Sequence, residues 1–314
     1  MTDSGWAFEI PANRKGSVTH MAKAKVGIIG GSGLGDALCS GADGKSVSVE
    51  TPFGPPSDAI LQTNWRGTDV ALLNRHGPGH LISPSQVNYR ANIYALKALG
   101  CTHVIASGAV GSLREEIEPK HLVISDQVID KTYRREPTFF DDFLAAHVEF
   151  ATPFCPVLRG HLIACSDEVK TTQVHHAGTY ICMEGPAFST RAESEMHRLW
   201  GGDLIGMTCM PEAKLAREAE LAYALVCLPS DYDCWRPAAA DLDKHELLKE
   251  IIGNLTEATA NAVALIKAAV ARFGEIADVP SPAHSALELA IWSDRSRIAP
   301  AAKPHLGVLV EKYL

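Results

Sequence analysis

Short apolar runs alternating with capped helical stretches predict an α/β fold, a mixed or parallel sheet with helices packed against it. The apolar runs have strand length, and several end in turns rich in glycine and hydroxyl residues, where open α/β sheets collect their ligands. At 314 residues the chain has ample length for one large core. Its expected organisation is a flexible arm over residues 1–24, a single main domain over 25–274, and a C-terminal extension over 275–314 that is rich in Pro, Ala and Ser. Met21 offers an alternative start.

Lys25 to Ile29 reads as a buried strand ending in Gly30-Gly31-Ser32-Gly33, and Asp69 to Leu73 as a second, ending in Asn74-Arg75-His76-Gly77. A helix follows, with Ser83 as N-cap, Pro84 at its first position, Gln86 three residues after the cap, and an apolar stripe through Val87, Ala91, Tyr94, Ala95 and Ala98 before Gly100. Thr102 to Ala106 is the next strand, running into a glycine-bracketed turn from Ser107 to Ser112. Further strands are expected at His121–Ile129, Thr179–Met183, Asp203–Met207 and Leu221–Leu228. Helices are expected at Thr190–Trp200, opened by the capping-box quartet Thr190-Arg191-Ala192-Glu193, at Pro211–Ala219 and at Leu242–Arg272.

The bulk properties narrow the function. A net charge of −8 and a pI of about 5.9 give no support for sequence-independent binding to nucleic acid or to an anionic membrane surface. No apolar run reaches the length of a membrane span. The eight cysteines form no C-x-x-C pair and fit reduced, buried thiols in a cytoplasmic protein. No H-E-x-x-H occurs among the 13 histidines, and His175-His176 sits in a polar stretch that reads as loop, so no metal is expected.

Two places carry chemistry. After the Leu221–Leu228 strand, Asp231 and Asp233 stand two residues apart, able to enter one pocket as the strand becomes a loop. Such a pair suits a ligand with several hydrogen-bond donors, such as a purine with a 6-amino group that gains a proton at N7 as it leaves a sugar. Taken alone, the hexapeptide Ser230–Trp235 is more simply an Asx-type turn with solvated acids. The second place is a set of strand ends: Gly30–Gly33, Arg75, His76, Gly108–Gly111 and Thr208 together offer backbone N–H groups, hydroxyls and a guanidinium fork to a phosphate. Each has a plainer reading as turn, salt bridge or cap. The dinucleotide fingerprint fails, because G-x-G-x-x-G from Gly31 requires glycine where Asp36 stands.

Eight ordered segments, Val26–Leu34, Thr51–Asp58, Arg75–Gly77, Val87–Lys97, Gly111–Glu116, Pro153–Pro156, Glu184–Ser189 and Asp231–Trp235, resemble the methylthioadenosine phosphorylases of the trimeric purine nucleoside phosphorylase family. The resemblance implies a central mixed β-sheet flanked by helices, a homotrimer, and cofactor-free phosphorolysis of a nucleoside with inorganic phosphate as co-substrate. It implies phosphate ligands at Ser32, Arg75, His76, Gly108, Ala109 and Thr208, with Gly108 where relatives often carry a threonine and Ser107 one residue earlier. Met207 corresponds to a ribose contact, Phe188 to a wall of the base pocket, Ser189 to a specificity position, and Asp231 and Asp233 to the catalytic purine readers. His147 resembles a residue that reaches a neighbouring subunit's pocket. At the 5′ end Leu247 and Leu248 suit a methylthio group, whereas Lys244 and His245 could bond a 5′-hydroxyl. The expected substrate is S-methyl-5′-thioadenosine, with adenosine as a further one; the alternatives are a broader purine nucleoside phosphorylase and a nucleoside hydrolase of the same fold.

Overall fold

A computed structural model describes residues 25–31, 33–39, 43–236 and 243–314; the expected arm, Met21, Ser32 and Leu242 lie outside the described residues. Strand β1 (Lys25–Gly30) pairs in parallel with β4 (Thr68–Asn74) on one side and β5 (Cys101–Ser112) on the other. These are nearly continuous buried runs, the pattern of strands covered on both faces. Beyond β4 the sheet continues antiparallel through β3 (Ile60–Trp65) to β2 (Lys45–Val47). Beyond β5 it runs through β10 (Leu204–Gly206) and β9 (Thr179–Cys182) to β7 (Gln127–Asp130). Strand β11 (Ala222–Asp231) lies along β5 and leads to β6 (Leu122–Ile124) and β8 (Val174–His175). The sheet is therefore mixed, as expected.

Alternation along the strands divides the core. Ile29, Val104, Ala106, Tyr223 and Leu225 face one side, where α2 (Tyr89–Ala98), α5 (Glu212–Glu218) and α7 (Ala302–Leu306) pack. Val26, Ile28, Ile105, Ala224 and Val226 face the other, covered by α3 (Pro156–Ala164), α6 (Lys244–Ala271) and, at one edge, α1 (Leu34–Cys39). The remaining helix, α4 (Arg191–Leu199), starts with the expected capping box on Thr190 and Glu193. Residues 282–314 send Leu287, Ala290, Leu306, Leu309 and Val310 into the first of these cores.

Several boundaries differ from the sequence expectation. Pro84–Gln86 form a separate 3₁₀ turn in which Ser83 makes no side-chain cap; Val87 is extended, and α2 starts only at Tyr89, where the Asn88 side chain accepts from Ala91 N–H at 3.1 Å. Asn is a stronger cap than the serine upstream has backbone to serve. The run His121–Ile129 divides into two strands, and His175 lies in β8 rather than in a loop. The expected turn from Ser107 to Ser112 is strand throughout.

Candidate active site

Strand β5 is the spine of the site. Its pairing with β1 stops at Ala106, and β10 joins the same edge only at Gly111 and Ser112. Between them, Ser107 to Val110 face no strand on that edge, so backbone groups there are left to side chains or a ligand. The other edge is paired with β11, Gly108 against Cys227 and Ala109 against Leu228. The glycines read from sequence as a turn are thus strand glycines at which neighbours approach closely.

Three chain segments enclose this gap. A Cβ at Gly31 would come within 2.9 Å of the Ser107 carbonyl oxygen and 3.1 Å of Arg75 Nη1, and one at Gly108 within 3.2 Å of Thr208 Oγ1. Gly31 N–H donates to Ser107 Oγ at 3.4 Å, which turns that hydroxyl toward the end of β1. The structure thus brings Arg75, Gly108 and Thr208 together, with Ala109 next along the strand.

Two of the expected phosphate ligands are placed differently in detail. The fork of Arg75 is occupied: Nε and Nη2 donate to Glu212 at 2.7 and 2.9 Å, and Nη1 donates to the Ser107 carbonyl at 2.8 Å. Both partners are fully buried, and Tyr223 Oη donates to the same carboxylate at 2.8 Å. Burial disfavours the guanidinium charge, but Glu212 outweighs it and raises the Arg75 pKa. One N–H on each Nη stays uncommitted, so Arg75 keeps two donors for an anion while its Nε–Nη2 side is taken by Glu212. His76, expected as a donor, directs Nδ1 to the Ile82 carbonyl at 2.8 Å and stacks on His80. Because a carbonyl only accepts, Nδ1 carries the proton. Burial, followed by the Arg75 charge, lowers the His76 pKa to about 4, so Nε2 is an acceptor near neutral pH.

The acidic pair lies at the other end of the gap. Asp231 closes β11 opposite Gly111, and the Asp233 Cβ would lie 3.2 Å from a Cβ at that glycine. Asp231 Oδ1 accepts from Ser230 Oγ at 2.8 Å and Oδ2 from Asp233 N–H at 3.0 Å, an Asx turn. Asp233 has a left-handed backbone (φ 49°), and its Oδ2 accepts from the buried Ser194 hydroxyl of α4. Burial raises the Asp231 pKa against the opposing bonds from Ser230 and Asp233 N–H. Asn254 of α6 donates to the Ser230 carbonyl at 3.0 Å from behind.

Around this axis, Met207 follows β10 and packs on Gly185, where a Cβ would come within 2.5 Å of Met207 Sδ. Ser189 is half-buried beside Met183, and its carbonyl accepts from Cys234 Sγ at 3.2 Å. Phe188 is 84% exposed and forms no buried wall within the single chain. His147 is tied to the C-terminal segment, its N–H on the Ala290 carbonyl at 2.9 Å and its ring edge-on to Trp292. Lys244 and His245 are exposed on the first turn of α6, Leu247 is partly buried, and Leu248 is 55% exposed. Among the described residues, no hydrogen bond joins these four to Asp231 or Asp233, although their helix is tied to the strand end through Asn254.

Sequence reasoning missed Glu212, Ser194 and Arg135. Glu212 and Ser194 carried one weak signal, a position in the first turn of a predicted helix close to a singled-out residue. Arg135 carried none, since Tyr133-Arg134-Arg135-Glu136 reads as a solvated charged loop. Among the described residues, no group of three or more His, Cys, Asp or Glu could hold a metal ion, and no helix is long and apolar enough to cross a membrane.

Residues 25–271, which carry this strand edge and the paired carboxylates, match the family model of the phosphorylase superfamily. The chain belongs to that superfamily. Within it, the chain is 46% identical over 295 residues to the S-methyl-5′-thioadenosine phosphorylase of Thermosynechococcus vestitus, covering 93% of this chain and 99% of the relative. A crystal structure of a methylthioadenosine phosphorylase from an antarctic soil metagenomic library superposes with a TM-score of 0.83 at 45% identity, over 92% of this chain and 99% of that one. A variant of the adenosine/methylthioadenosine phosphorylase of Schistosoma mansoni, solved with methylthioadenosine, superposes with a TM-score of 0.74 at 37% identity, over 80% and 92%.

Proposed function

We propose that this chain catalyses the phosphorolysis of S-methyl-5′-thioadenosine to adenine and 5-methylthioribose 1-phosphate, a pentosyl transfer without a cofactor. The observation that carries the reading is the open edge of β5, with Thr208 at Gly108, Arg75 on the Ser107 carbonyl and Asp233 at Gly111. Three residues along a strand span roughly 10 Å. That length accommodates a phosphate below a ribose at one end and a purine at the other.

Breaking the C1′–N9 bond leaves positive charge on the ribose and negative charge on the purine, and both must be stabilised in the transition state. Phosphate beneath C1′ offsets the first and then forms the C1′–O bond. Because Arg75 is already paired with Glu212, it positions the dianion without neutralising it. Neutral His76 can accept a hydrogen bond from the P–OH group at Nε2. Asp231, whose affinity for a proton is raised by burial, gives a proton to N7, while Asp233 accepts from the 6-amino group. The proton lost by hydrogen phosphate balances the one gained by adenine. Met207 faces the ribose, with Ser189 and Phe188 at the base.

The working unit is a homotrimer in which His147 and exposed Phe188 meet a neighbouring copy. Free thiols at Cys101, Cys155, Cys165, Cys182, Cys209, Cys227 and Cys234 support a cytoplasmic location. Adenosine is a further substrate: Lys244 and His245 could serve its 5′-hydroxyl and Leu247 and Leu248 the methylthio group. The test is base release from methylthioadenosine, adenosine and inosine with and without phosphate. Phosphate-dependent release from the two 6-amino nucleosides is expected, with a ribose 1-phosphate as co-product. Equal turnover in phosphate-free buffer would assign a hydrolase instead.

A further inference from the structure

Arg135 stands in the loop after β7 and has been given no chemical role so far, yet its side chain is 98% buried. Its Nη1 donates to the carbonyls of Met207 and Met210 at 2.6 and 2.5 Å and lies 3.2 Å from Tyr89 Oη. Its Nη2 donates to the Glu184 carbonyl at 2.8 Å, and its Nε to Glu184 Oε1 at 3.1 Å. The Glu184 carboxylate in turn accepts from the N–H groups of Tyr133 and Arg134 at 2.8 and 3.2 Å. One planar guanidinium therefore bridges two loops: Met207–Met210, which carries the ribose contact and Thr208, and Glu184–Ser189, which carries the base-pocket residues. The loops also touch directly, Met207 against Gly185.

We infer that Arg135 is a positioning residue that locks the ribose–phosphate loop to the base-pocket loop and so couples the binding of the two substrates. The inference rests on the function proposed above. Phosphate draws on Thr208 within the first loop, and the purine on the second. With the loops fixed to each other, ordering one by its ligand also orders the other, and the second ligand binds to a site already formed. A lysine cannot replace the guanidinium, because a point charge with rotating donors does not span carbonyls on two loops at fixed angles.

The test compares Arg135→Lys, Arg135→Met and Glu184→Gln with wild type, using Tyr89→Phe as a control that removes the contact to α2 together with the Tyr89 Oη bond to the Pro84 carbonyl but leaves both loops tied to Arg135. Thermal unfolding establishes that each variant is folded. Steady-state kinetics then give the KM of nucleoside at several phosphate concentrations and the reverse, and calorimetry gives the adenine Kd with and without phosphate. In wild type each ligand should tighten the other. In Arg135→Met this mutual tightening should vanish, with both KM values raised about tenfold; Arg135→Lys and Glu184→Gln should fall between, and Tyr89→Phe should match wild type. Guanidinium ion added to Arg135→Met should restore part of the coupling.

Folded Arg135 variants with wild-type KM values and intact coupling would overturn the inference. So would a fall in the active fraction alone with both KM values unchanged, the signature of a merely structural arginine. If wild type shows no phosphate-dependent turnover, the proposed function fails, and adenine affinity alone across the same variants still reads whether Arg135 shapes the base pocket. Should Arg135→Met fail to fold, Arg135→Lys and Glu184→Gln decide the matter.

Discussion

Replacing Glu212 by Gln removes the carboxylate that holds Arg75 while keeping its volume. Both groups are 0% exposed and share two bonds of 2.7 and 2.9 Å. Gln accepts at one oxygen only, and its amide N–H groups would meet a guanidinium that has no acceptor. Removing one partner of a buried ion pair costs about 3–5 kcal/mol, because the surviving charge is left uncompensated. Against a total of roughly 5–15 kcal/mol the variant should fold but be much weakened. With a urea slope near 3 kcal/mol/M, the unfolding midpoint should fall by about 1–2 M. Glu257→Gln is the internal control: its pair with Lys120 at 2.9 Å is half-exposed, and its loss should cost less than about 1 kcal/mol. Urea titration followed by tryptophan fluorescence and circular dichroism reads both. Equal midpoints for the two variants would refute the argument that the buried pair anchors the floor of the site. The double change Arg75→Met with Glu212→Leu adds a separation, since an apolar pair can restore stability while phosphate affinity stays lost.

Two pH experiments follow from the buried acids. Ser230 Oγ stabilises ionised Asp231 through its 2.8 Å bond, so Ser230→Ala should raise an already raised pKa. If Asp231 acts as the protonated acid, kcat/KM falls as pH rises through that pKa, and the limb in Ser230→Ala should move to higher pH; a stationary limb would show that another group titrates. Burial lifts Glu218, which accepts from Phe139 N–H at 2.9 Å, from 4.5 to about 7. Its stabilising contribution is complete below 4.5 and lost as pH rises through 7, a change of about 3 kcal/mol at 1.36 kcal/mol per unit. Glu218→Gln should flatten the unfolding midpoint across that window, and an unchanged slope would sink the assignment.

The sheet was legible wherever burial on both faces leaves an unbroken apolar run, as in Val26–Ile29 and Ala222–Leu228, because such runs leave little other choice at strand length. The capping box at Thr190 was legible for a local reason, both of its bonds spanning three residues. The stretch Ser107–Ser112 was not. Glycine marks turns and close approaches alike, and only the packing of Thr208 on Gly108 and Asp233 on Gly111 distinguishes them. In the site, strand-end residues could be found by position, but their partners could not. Glu212 reaches Arg75 across 137 residues and Arg135 reaches Met207 across 72, and no local pattern encodes either meeting. The role of His76 inverted for the same reason, since the Ile82 carbonyl sets which ring nitrogen carries the proton.

The two readings of Ser230–Trp235, a turn and a purine site, turn out to be compatible. The bond from Asp233 N–H to Asp231 Oδ2 is the bond of an Asx turn, and it also fixes where both carboxylates point. Asp233 accepts a left-handed backbone to make it, a conformation disfavoured for a residue with a Cβ unless the surroundings enforce it. Here they do: Ser194 holds the Asp233 carboxylate from α4, and Asn254 holds the Ser230 carbonyl from α6. What distinguishes the site from an ordinary turn is its seat over Gly111 at the end of β11. There the chain withdraws Asp231 from water far enough to raise its affinity for a proton, which a solvated turn would not do. Turn geometry supplies the aim and burial the raised proton affinity, so under the proposed mechanism a substitution that preserved the turn but opened this seat to solvent should keep the shape and lose phosphorolysis.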